Sequence, residues 1–307
     1  MNQSPPQQSL GEDLQLRATA ADGTAAAALW WSRVPSLPGE RLGVVGGFSA
    51  TSRDAANQML TRAFETLRAQ GCTLAVGPMD GNTWRRYRFV TDAGTEPPFF
   101  LEPTNPPEWP EWWQAAGFMP LAEYYSSATD DLAARDTRLG DVSARMAKAG
   151  VSIRPLDPPR FDEELKRIYD VSVVSFQPNY LYTPLPPDAF LAQYRAIQAR
   201  VWPEFVLLAE QAGRPVGYVF ATPDFAQAQR GEPVTTVVVK TLAVLPGRAY
   251  AGLGALLLAD VHAAALRLGF GRAIHVLMHA ANQSRNLSAH YSRTIRRYTL
   301  FARRLPP

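Results

Sequence analysis

The sequence predicts an α/β fold in two similar units, each a mixed, mostly antiparallel, twisted sheet flanked by helices. Two observations lead to this prediction. Each half of the 307-residue chain runs in the order strand, loop, helix, strand, short helix, strand. A charged, alanine-rich stretch without large aromatic residues, TDDLAARDTRLGDVSARMAKAG, separates the halves. We therefore expect a disordered tail at 1–14, a first domain at 15–130, a linking helix at 131–150 and a second domain at 151–307.

The first half begins with two predicted strands, 29–34 and 41–48, around a Pro/Gly turn. Helical spacing of apolar residues follows over 55–71, where Ser52 or Thr51 would cap the helix and Gly71 would end it. The predicted elements after this helix are a strand at 72–78, an irregular proline-rich segment at 97–110, a short helix at 109–118 and a closing strand at 120–126.

The second half contains a long run of β-branched residues at 234–246, which predicts its central strand. Before it we expect a strand at 151–157, helices at 161–176 and 187–198, and a hairpin of strands 205–211 and 215–224. After it we expect a glycine-containing loop, a helix that ends at Gly269, and strands at 272–282 and 298–305.

The composition is that of an ordinary globular protein, with 46% hydrophobic and 19% charged residues. The single cysteine, Cys72, excludes an internal disulfide framework and any multi-cysteine metal site. The first residues resemble no signal peptide, and no apolar stretch is expected to reach the ~18 residues that span a bilayer. We expect a cytoplasmic protein without membrane contact.

The charge is unevenly distributed along the chain. Although the net charge is only +3, residues 261–307 contain eight arginines and no Asp or Glu. This pattern fits either a solvated basic surface or a surface for a polyanionic ligand or nucleic acid. Composition alone does not decide between them.

The glycine-containing loop has the sequence PGRAYAGLGALL, over 246–257. Gly252 and Gly254 leave the backbone bare where a helix begins, so a pyrophosphate can approach the first free N–H groups and the positive end of the helix dipole. The nucleoside-triphosphate loop is excluded because no Gly-Lys-Ser/Thr is present. A dinucleotide loop does not fit either, because its third glycine position is Leu257 and no acidic residue follows Asp260.

The order of hairpin, long strand, glycine loop, amphipathic helix and strand over 151–305 resembles the GNAT acyltransferases. Their loop has the form (Gln/Arg)-x-x-Gly-x-(Gly/Ala), which Gly252 and Gly254 match. The Gln/Arg position is occupied by Ala249, with Arg248 one place early. The first half also resembles a GNAT unit, but its corresponding loop, FSATSRDAA, has no glycine. The resemblance therefore implies two tandem GNAT-like units, of which the first is a degenerate copy.

The resemblance implies acetyl-CoA, or another acyl-CoA, as the cofactor. The backbone of Leu242, Ala243 and Val244 would bind its pantetheine arm, which Asn282 would also contact, with Ser284 nearby. One of Arg285, Arg293 and Arg296 would meet the ribose phosphate. The residues that would hold the pyrophosphate are Arg248, Ala249, Tyr250, Ala251, Gly252, Leu253, Gly254 and Ala255.

The same resemblance implies a tyrosine that protonates the leaving thiolate, and Tyr291 is the candidate. A packed structural tyrosine is the alternative. His275 and His279 lie four residues apart on a predicted strand, so both should point to one face together with Leu277. His279 is a candidate base, whereas a structural histidine or catalysis by water are alternatives. Two histidines are too few for a metal site, and no metal is expected.

Three functions remain open. The chain is expected to be an acyl-CoA-dependent N-acyltransferase for a small-molecule amine, acting as a monomer or homodimer, with neither nucleic acid nor membrane as a partner. The loop at 176–187, FQPNYLYTPLPP, would cover the substrate. An aminoacyl-tRNA-dependent transferase is the second hypothesis, since an arginine-rich tail can hold RNA. A non-catalytic protein that keeps the fold and the CoA site is the third.

Overall fold

A computed structural model describes residues 11–134, 137–280 and 292–306. The strands, in chain order, are β1 (Leu14–Ala20), β2 (Gly23–Trp30), β3 (Leu42–Ala50), β4 (Leu74–Gly77), β5 (Phe89–Asp92), β6 (Met119–Thr129), β7 (Val151–Pro155), β8 (Val206–Gln211), β9 (Arg214–Pro223), β10 (Thr236–Val244), β11 (Arg272–His279) and β12 (Arg293–Arg304). The helices are α1 (Arg53–Ala69), α2 (Trp109–Ala115), α3 (Leu139–Lys148), α4 (Phe161–Ser175), α5 (Pro187–Arg195), α6 (Phe225–Gln229) and α7 (Leu253–Arg267).

The strands form one 12-stranded sheet, in the order β1-β2-β3-β4-β12-β6-β11-β10-β9-β8-β7, and β5 also pairs with β12. Apart from β7 at one edge, this order is symmetric about the neighbouring strands β12 and β6. On each side of that pair lies one parallel pair, β3 with β4 and β10 with β11, and the other pairings are antiparallel. The prediction of an α/β fold with mixed, mostly antiparallel sheets in both halves is confirmed.

The two halves exchange their closing strands. β6, the last strand of the first half, pairs with β11 of the second half. β12, the last strand of the second half, pairs with β4 of the first half. The two exchanged strands also pair with each other over nine residue pairs, from Arg293 opposite Ala128 to Ala302 opposite Met119. Each half therefore completes the sheet of the other.

In each half, a long helix that connects two parallel strands packs on the sheet. The buried residues of α1 pack in a core with Leu29, Val45 and Phe301. Those of α7 pack with Val219, Val237 and Ala273. In both cases the helix connects two adjacent parallel strands, which require a crossover of this kind.

The segment Arg248–Arg267, a short 3₁₀ turn followed by α7, is 20 residues long and apolar enough by composition to cross a membrane. The expectation that no stretch reaches this length is therefore wrong. Seven residues of α7, among them Leu257 and Val261, are buried in the core against the sheet. This packing accounts for the apolar character of the helix.

Several strand predictions were inaccurate. β1 was not predicted, and β2 lies at Gly23–Trp30 rather than at 29–34. The reason is composition, because alanine dominates GTAAAALW and is not a typical strand residue. β12 begins at Arg293, five residues before the predicted start at 298. The first residues of β12, RTIRR, are rich in arginine, and such a sequence does not indicate a strand.

Four arginines of the segment 261–307 pair with acidic residues of the first half. Arg296 is 3% exposed and donates to Glu102, 2.6 Å away. Arg272 and Arg293 share Glu96, and Arg304 contacts Glu40 at 2.9 Å. The acid-free segment at 261–307 is thus neutralised in part by the first half, across the strand exchange.

Candidate functional site

The N-terminus of α7 lacks a side-chain cap. Its N-cap residue, Gly252, has φ +86°, a left-handed conformation that glycine adopts readily. No side chain bonds to the cap, and the first turn contains no acidic residue. Gly254 lies in that first turn with room around it, since a Cβ there would be 3.5 Å from the nearest atom, in Leu242. The free N–H groups and the helix dipole make this end of α7 able to bind an anion.

The linking helix α3 contacts this loop. The guanidinium of Arg145 donates to the carbonyl oxygen of Ala251. Val142, on the same helix, lies against Gly252, where an added Cβ would be 2.9 Å from its side chain. Arg145 therefore adds positive charge beside the N-terminus of α7. Arg248 and Ala249, in the 3₁₀ turn before it, are exposed.

Strands β10 and β11 part beside the loop. They pair in parallel from Thr236 to Val239, and the register gives no further pair beyond His275. Both strands carry an irregularity at this point, between Val239 and Thr241 in β10 and between His275 and Met278 in β11. In the described part of the chain, Leu242, Ala243 and Val244 have a strand partner only in β9. Among the described residues, the edge of β10 that faces β11 therefore has no strand partner over 242–244, although the carbonyl of Val244 accepts from the hydroxyl of Ser175 at 3.0 Å.

In the first half, the corresponding gap between β3 and the chain after β4 is closed. The chain after β4 continues along β3, where the amide of Met79 donates to the carbonyl of Val45 at 2.9 Å. The carboxylate of Asp80 accepts from the amide of Gly47 at 2.7 Å. Gly46 is in such close contact that a Cβ would lie 2.0 Å from the carbonyl oxygen of Met79. No space for an extended ligand remains between these strands.

The N-terminus of α1 is closed as well. The hydroxyl of Ser52 accepts from the amide of Ala55 at 3.1 Å, as the sequence predicted, and Asp54 lies in the first turn. These groups satisfy the free N–H donors and the dipole that an anion would otherwise use. The two halves thus share a fold but differ at the two features a cofactor would need.

His275 and His279 do not share a face, contrary to the prediction. His275 is buried and its Nε2 lies 3.1 Å from Nε2 of His262 in α7. Burial, with a smaller contribution from His262, lowers the pKa of His275 to about 3. His279 instead packs edge-on against Tyr124, with ring centroids 4.9 Å apart. The irregularity in β11, where Leu277 has φ +60°, resets the alternation of side chains.

A cationic cluster lies where β10 and β11 part, and it consists of Arg88, Lys240 and His279. Lys240 occupies the irregular position of β10. Burial, and next the positive charge of Arg88, lower the pKa of Lys240 to about 8. The same two causes lower the pKa of His279. Both residues are therefore within electrostatic reach of Arg88, which belongs to the segment between β4 and β5 of the first half.

Tyrosine rings surround the cationic cluster. The guanidinium carbon of Arg88 lies 3.9 Å from the ring centroid of Tyr87 and 4.1 Å from that of Tyr124. Tyr180, from the predicted covering loop, lies 6.0 Å from His279 between ring centroids. Trp84 packs against Phe176 of the same loop, at 6.0 Å. Residues of the first half and Tyr180 of the predicted covering loop thus contact members of the cationic cluster.

Some predicted site residues are engaged elsewhere or lie outside the described residues. Arg293 and Arg296 pair with Glu96 and Glu102, so neither is free for a ribose phosphate. The residues outside the described ranges are Asn282, Ser284, Arg285 and Tyr291.

Sequence reasoning did not find Arg88, Lys240 or Tyr124. A signal existed for Lys240, since VVVKTLAV places one charge inside an otherwise apolar strand. No such signal existed for Arg88, which is one of three arginines in RRYR and meets the second half only through the fold.

The comparisons with known proteins agree with this geometry. The family model described as Acetyltransferase (GNAT) family matches residues 165–290. No curated protein matches the chain. Among solved structures, a GCN5-related N-acetyltransferase from Sphaerobacter thermophilus is 14% identical, with a TM-score of 0.53 over 92% of this chain and 77% of that chain.

Two further structures show the same fold. A tandem GNAT protein from the clavulanic acid biosynthesis pathway, solved without AcCoA, is 14% identical, with a TM-score of 0.51 over 97% of this chain and 85% of that chain. A GCN5-related glucosamine N-acetyltransferase region of a fungal GH3 beta-N-acetylglucosaminidase is 13% identical, with a TM-score of 0.56 over 91% of this chain and 31% of that chain. The GNAT family model thus matches the part of the chain that contains the glycine loop, and the solved structures share the fold of the whole chain.

Proposed function

We propose that this chain is an acyl-CoA-dependent N-acyltransferase, which uses acetyl-CoA to acetylate an amine of a small molecule. One observation supports this proposal above the others. In the second half, an uncapped helix start that begins with glycine lies beside an unpaired strand edge. In the first half, both corresponding features are closed, because Ser52 caps α1 and Asp80 bonds to the backbone of β3. This difference supports a cofactor site in the second half and a degenerate copy in the first.

The residues of the second half fit the two parts of coenzyme A. The main chain of Leu242, Ala243 and Val244 would bind the pantetheine arm along the unpaired edge of β10. The loop at 248–255 would bind the pyrophosphate, with Arg145 adding positive charge. Asn282 and Ser284, which lie outside the described residues, are still proposed to lie beside the pantetheine arm. The bound coenzyme would supply the thioester carbonyl that the amine attacks.

The proton transfers fall to side chains near the parted strands. The attacking amine must be neutral and the leaving thiolate must gain a proton. Burial and the charge of Arg88 lower the pKa of His279, which favours the neutral imidazole, the form that can accept a proton. Tyr291 is the proposed donor to the thiolate.

Two conservative variants test these roles. Tyr291→Phe and His279→Gln should each lower kcat by about a hundredfold, because each removes one positioned proton carrier. Acetyl-CoA affinity, measured by calorimetry, should stay within about twofold of wild type in both. Full turnover in Tyr291→Phe would assign the tyrosine a packing role. A turnover of His279→Gln that equals wild type would leave water as the base.

The alternative of a tRNA-dependent transferase has little support in the contacts. It rested on the arginine-rich segment at 261–307. Four of those arginines (Arg272, Arg293, Arg296 and Arg304) pair with carboxylates of the first half. We propose a cytoplasmic monomer or homodimer, with the boundary between its two units within 131–150.

A thermal-shift titration separates the three functions. Acetyl-CoA at about 100 times its dissociation constant should stabilise the folded chain by roughly 2.7 kcal/mol, a rise of several degrees in Tm. A purified tRNA pool should give no rise at physiological salt. Stabilisation by tRNA and none by acetyl-CoA would reverse the assignment. A rise with acetyl-CoA, without thiol release on any amine, would indicate the non-catalytic protein.

A further inference from the structure

Arg88 is a buried cation with two donor atoms that lack a hydrogen-bond acceptor. Its side chain is 6% exposed, and its Nε and Nη1 atoms are enclosed by protein with no hydrogen-bond acceptor. The rings of Tyr87 and Tyr124 contact the guanidinium but accept no hydrogen bond from these two atoms. A guanidinium remains charged at any physiological pH. Burial of an unpaired charge is costly, and proteins normally supply a counter-ion.

The described residues offer Arg88 no counter-ion. Over residues 11–134, 137–280 and 292–306, no carboxylate lies within ion-pair distance of it. The buried carboxylate of Glu102 is already bonded to Arg296 and to the hydroxyl of Tyr298. The sequence from 261 to 307 contains no Asp or Glu at all, so the segment 281–291 has none to contribute.

Lys240, with a pKa of about 8, adds positive charge beside Arg88. The charge of Arg88 lowers the pKa of both Lys240 and His279, which shows that three groups able to carry positive charge converge here. Lys240 marks the point at which β10 and β11 part, so the cluster lies at the inner end of the proposed cofactor arm. An arginine that remains charged and unpaired at such a place is suited to binding a carboxylate.

We propose that Arg88 binds a carboxylate of the acceptor, so that the enzyme acetylates amino-acid-like molecules, which carry an amine and a carboxylate together. This inference rests on the proposed function, because it names the acceptor class of the same site. The acyl group of a donor such as succinyl-CoA is a second source of a carboxylate. We assign the carboxylate to the acceptor because Arg88, Tyr87 and Tyr124 come from the first half and Tyr180 from the covering loop. None of them belongs to β10, α7 or the loop between them.

The same charges explain how the amine becomes reactive. A positive field disfavours a second positive charge, so it lowers the pKa of a bound ammonium group and favours the neutral amine. A zwitterion is still attracted through its carboxylate. Polyamines and aminoglycosides have several positive charges and no carboxylate, so the cluster repels them. The cluster thus selects against these common amine acceptors.

The test compares pairs of acceptors that differ only in the carboxylate. Thiol release from acetyl-CoA is measured for the α-amino acids and for their α-carboxamides, with spermidine and kanamycin alongside. The full-length wild type should prefer the acid of at least one pair by roughly tenfold to a hundredfold in kcat/KM. Arg88→Met should remove this preference through the KM of the acceptor. Arg86→Met is the matched control, because Arg86 lies in the same segment but is exposed and pairs with Asp80.

A second measurement needs no turnover. Sodium acetate, a minimal carboxylate, should raise the Tm of wild type above that in sodium chloride at equal ionic strength, and Arg88→Met should lose this difference. The inference would be overturned if wild type had the same kcat/KM for the amides as for the acids and if acetate did not change its Tm. A preference for succinyl-CoA over acetyl-CoA that Arg88→Met abolishes would overturn the assignment to the acceptor. Acetyl-CoA titration of the same samples reports separately on the proposed function.

Discussion

Replacing Gly254 by aspartate should weaken acetyl-CoA binding by about a hundredfold or more, while the chain remains folded. A carboxylate in the first turn of α7 would face the pyrophosphate, and two unit charges ~4 Å apart near a protein surface repel by roughly 4 kcal/mol. The fold should tolerate the change, because Gly254 has no left-handed φ and a Cβ there would be 3.5 Å from Leu242. Aspartate is also favourable near a helix N-terminus. Calorimetric titration with acetyl-CoA measures the effect.

Gly254→Ala is the matched control for this experiment. It adds the same Cβ without the charge, and it should bind acetyl-CoA within a few-fold of wild type and melt at the same or a slightly higher temperature. Gly252 is unsuitable as a test position, since its φ of +86° and the contact with Val142 would strain any side chain. Equal acetyl-CoA affinities for Gly254→Asp and Gly254→Ala would refute the assignment of the loop to the pyrophosphate.

The glycine-containing loop could be predicted from the sequence because the features that define it lie close together in the sequence. A glycine that permits a left-handed turn, an absent acid and a helix that follows at once are all encoded within ten residues, 246–255. The cap at Ser52 could be predicted for the same reason, and it is present. Patterns of this length determine which backbone groups are free, whatever the rest of the chain does.

The cationic cluster could not be predicted, because its members are far apart in the sequence. Arg88 and Lys240 lie 152 residues apart and meet only because β6 is inserted beside β11. The sequence pattern indicated His279 as a candidate, but it did not indicate that Arg88, Lys240 and Tyr124 lie near it. The expected alternation from His275 to His279 fails at the irregularity in β11, which no feature of RAIHVLMH indicates. Side-chain direction after such a point depends on tertiary pairing.

The exchange of closing strands leads to the last prediction, which concerns where the chain can be divided. A fragment of residues 131–307 should fail to fold, although it contains the whole predicted second domain. It lacks β6, so β11 would become an unpaired edge and β12 would lose the strand to which it pairs along most of its length. Tyr298, Leu300 and Phe301, all fully buried in the full chain, would be exposed. We expect aggregation or no cooperative melting transition by circular dichroism.

A fragment of residues 118–307 is the matched control, since it differs only by residues 118–130, which are β6 and one residue on each side of it. The restored strand pairs with β11 through Ala273 opposite Thr129 and His279 opposite Tyr124, and it gives β12 a partner again. This fragment should melt cooperatively and bind acetyl-CoA, although Arg88 is absent from it. Equal melting and equal acetyl-CoA affinity for both fragments would show that β6 is dispensable to the second half. Folding of the longer fragment alone would show that the cofactor site requires a strand encoded before residue 130.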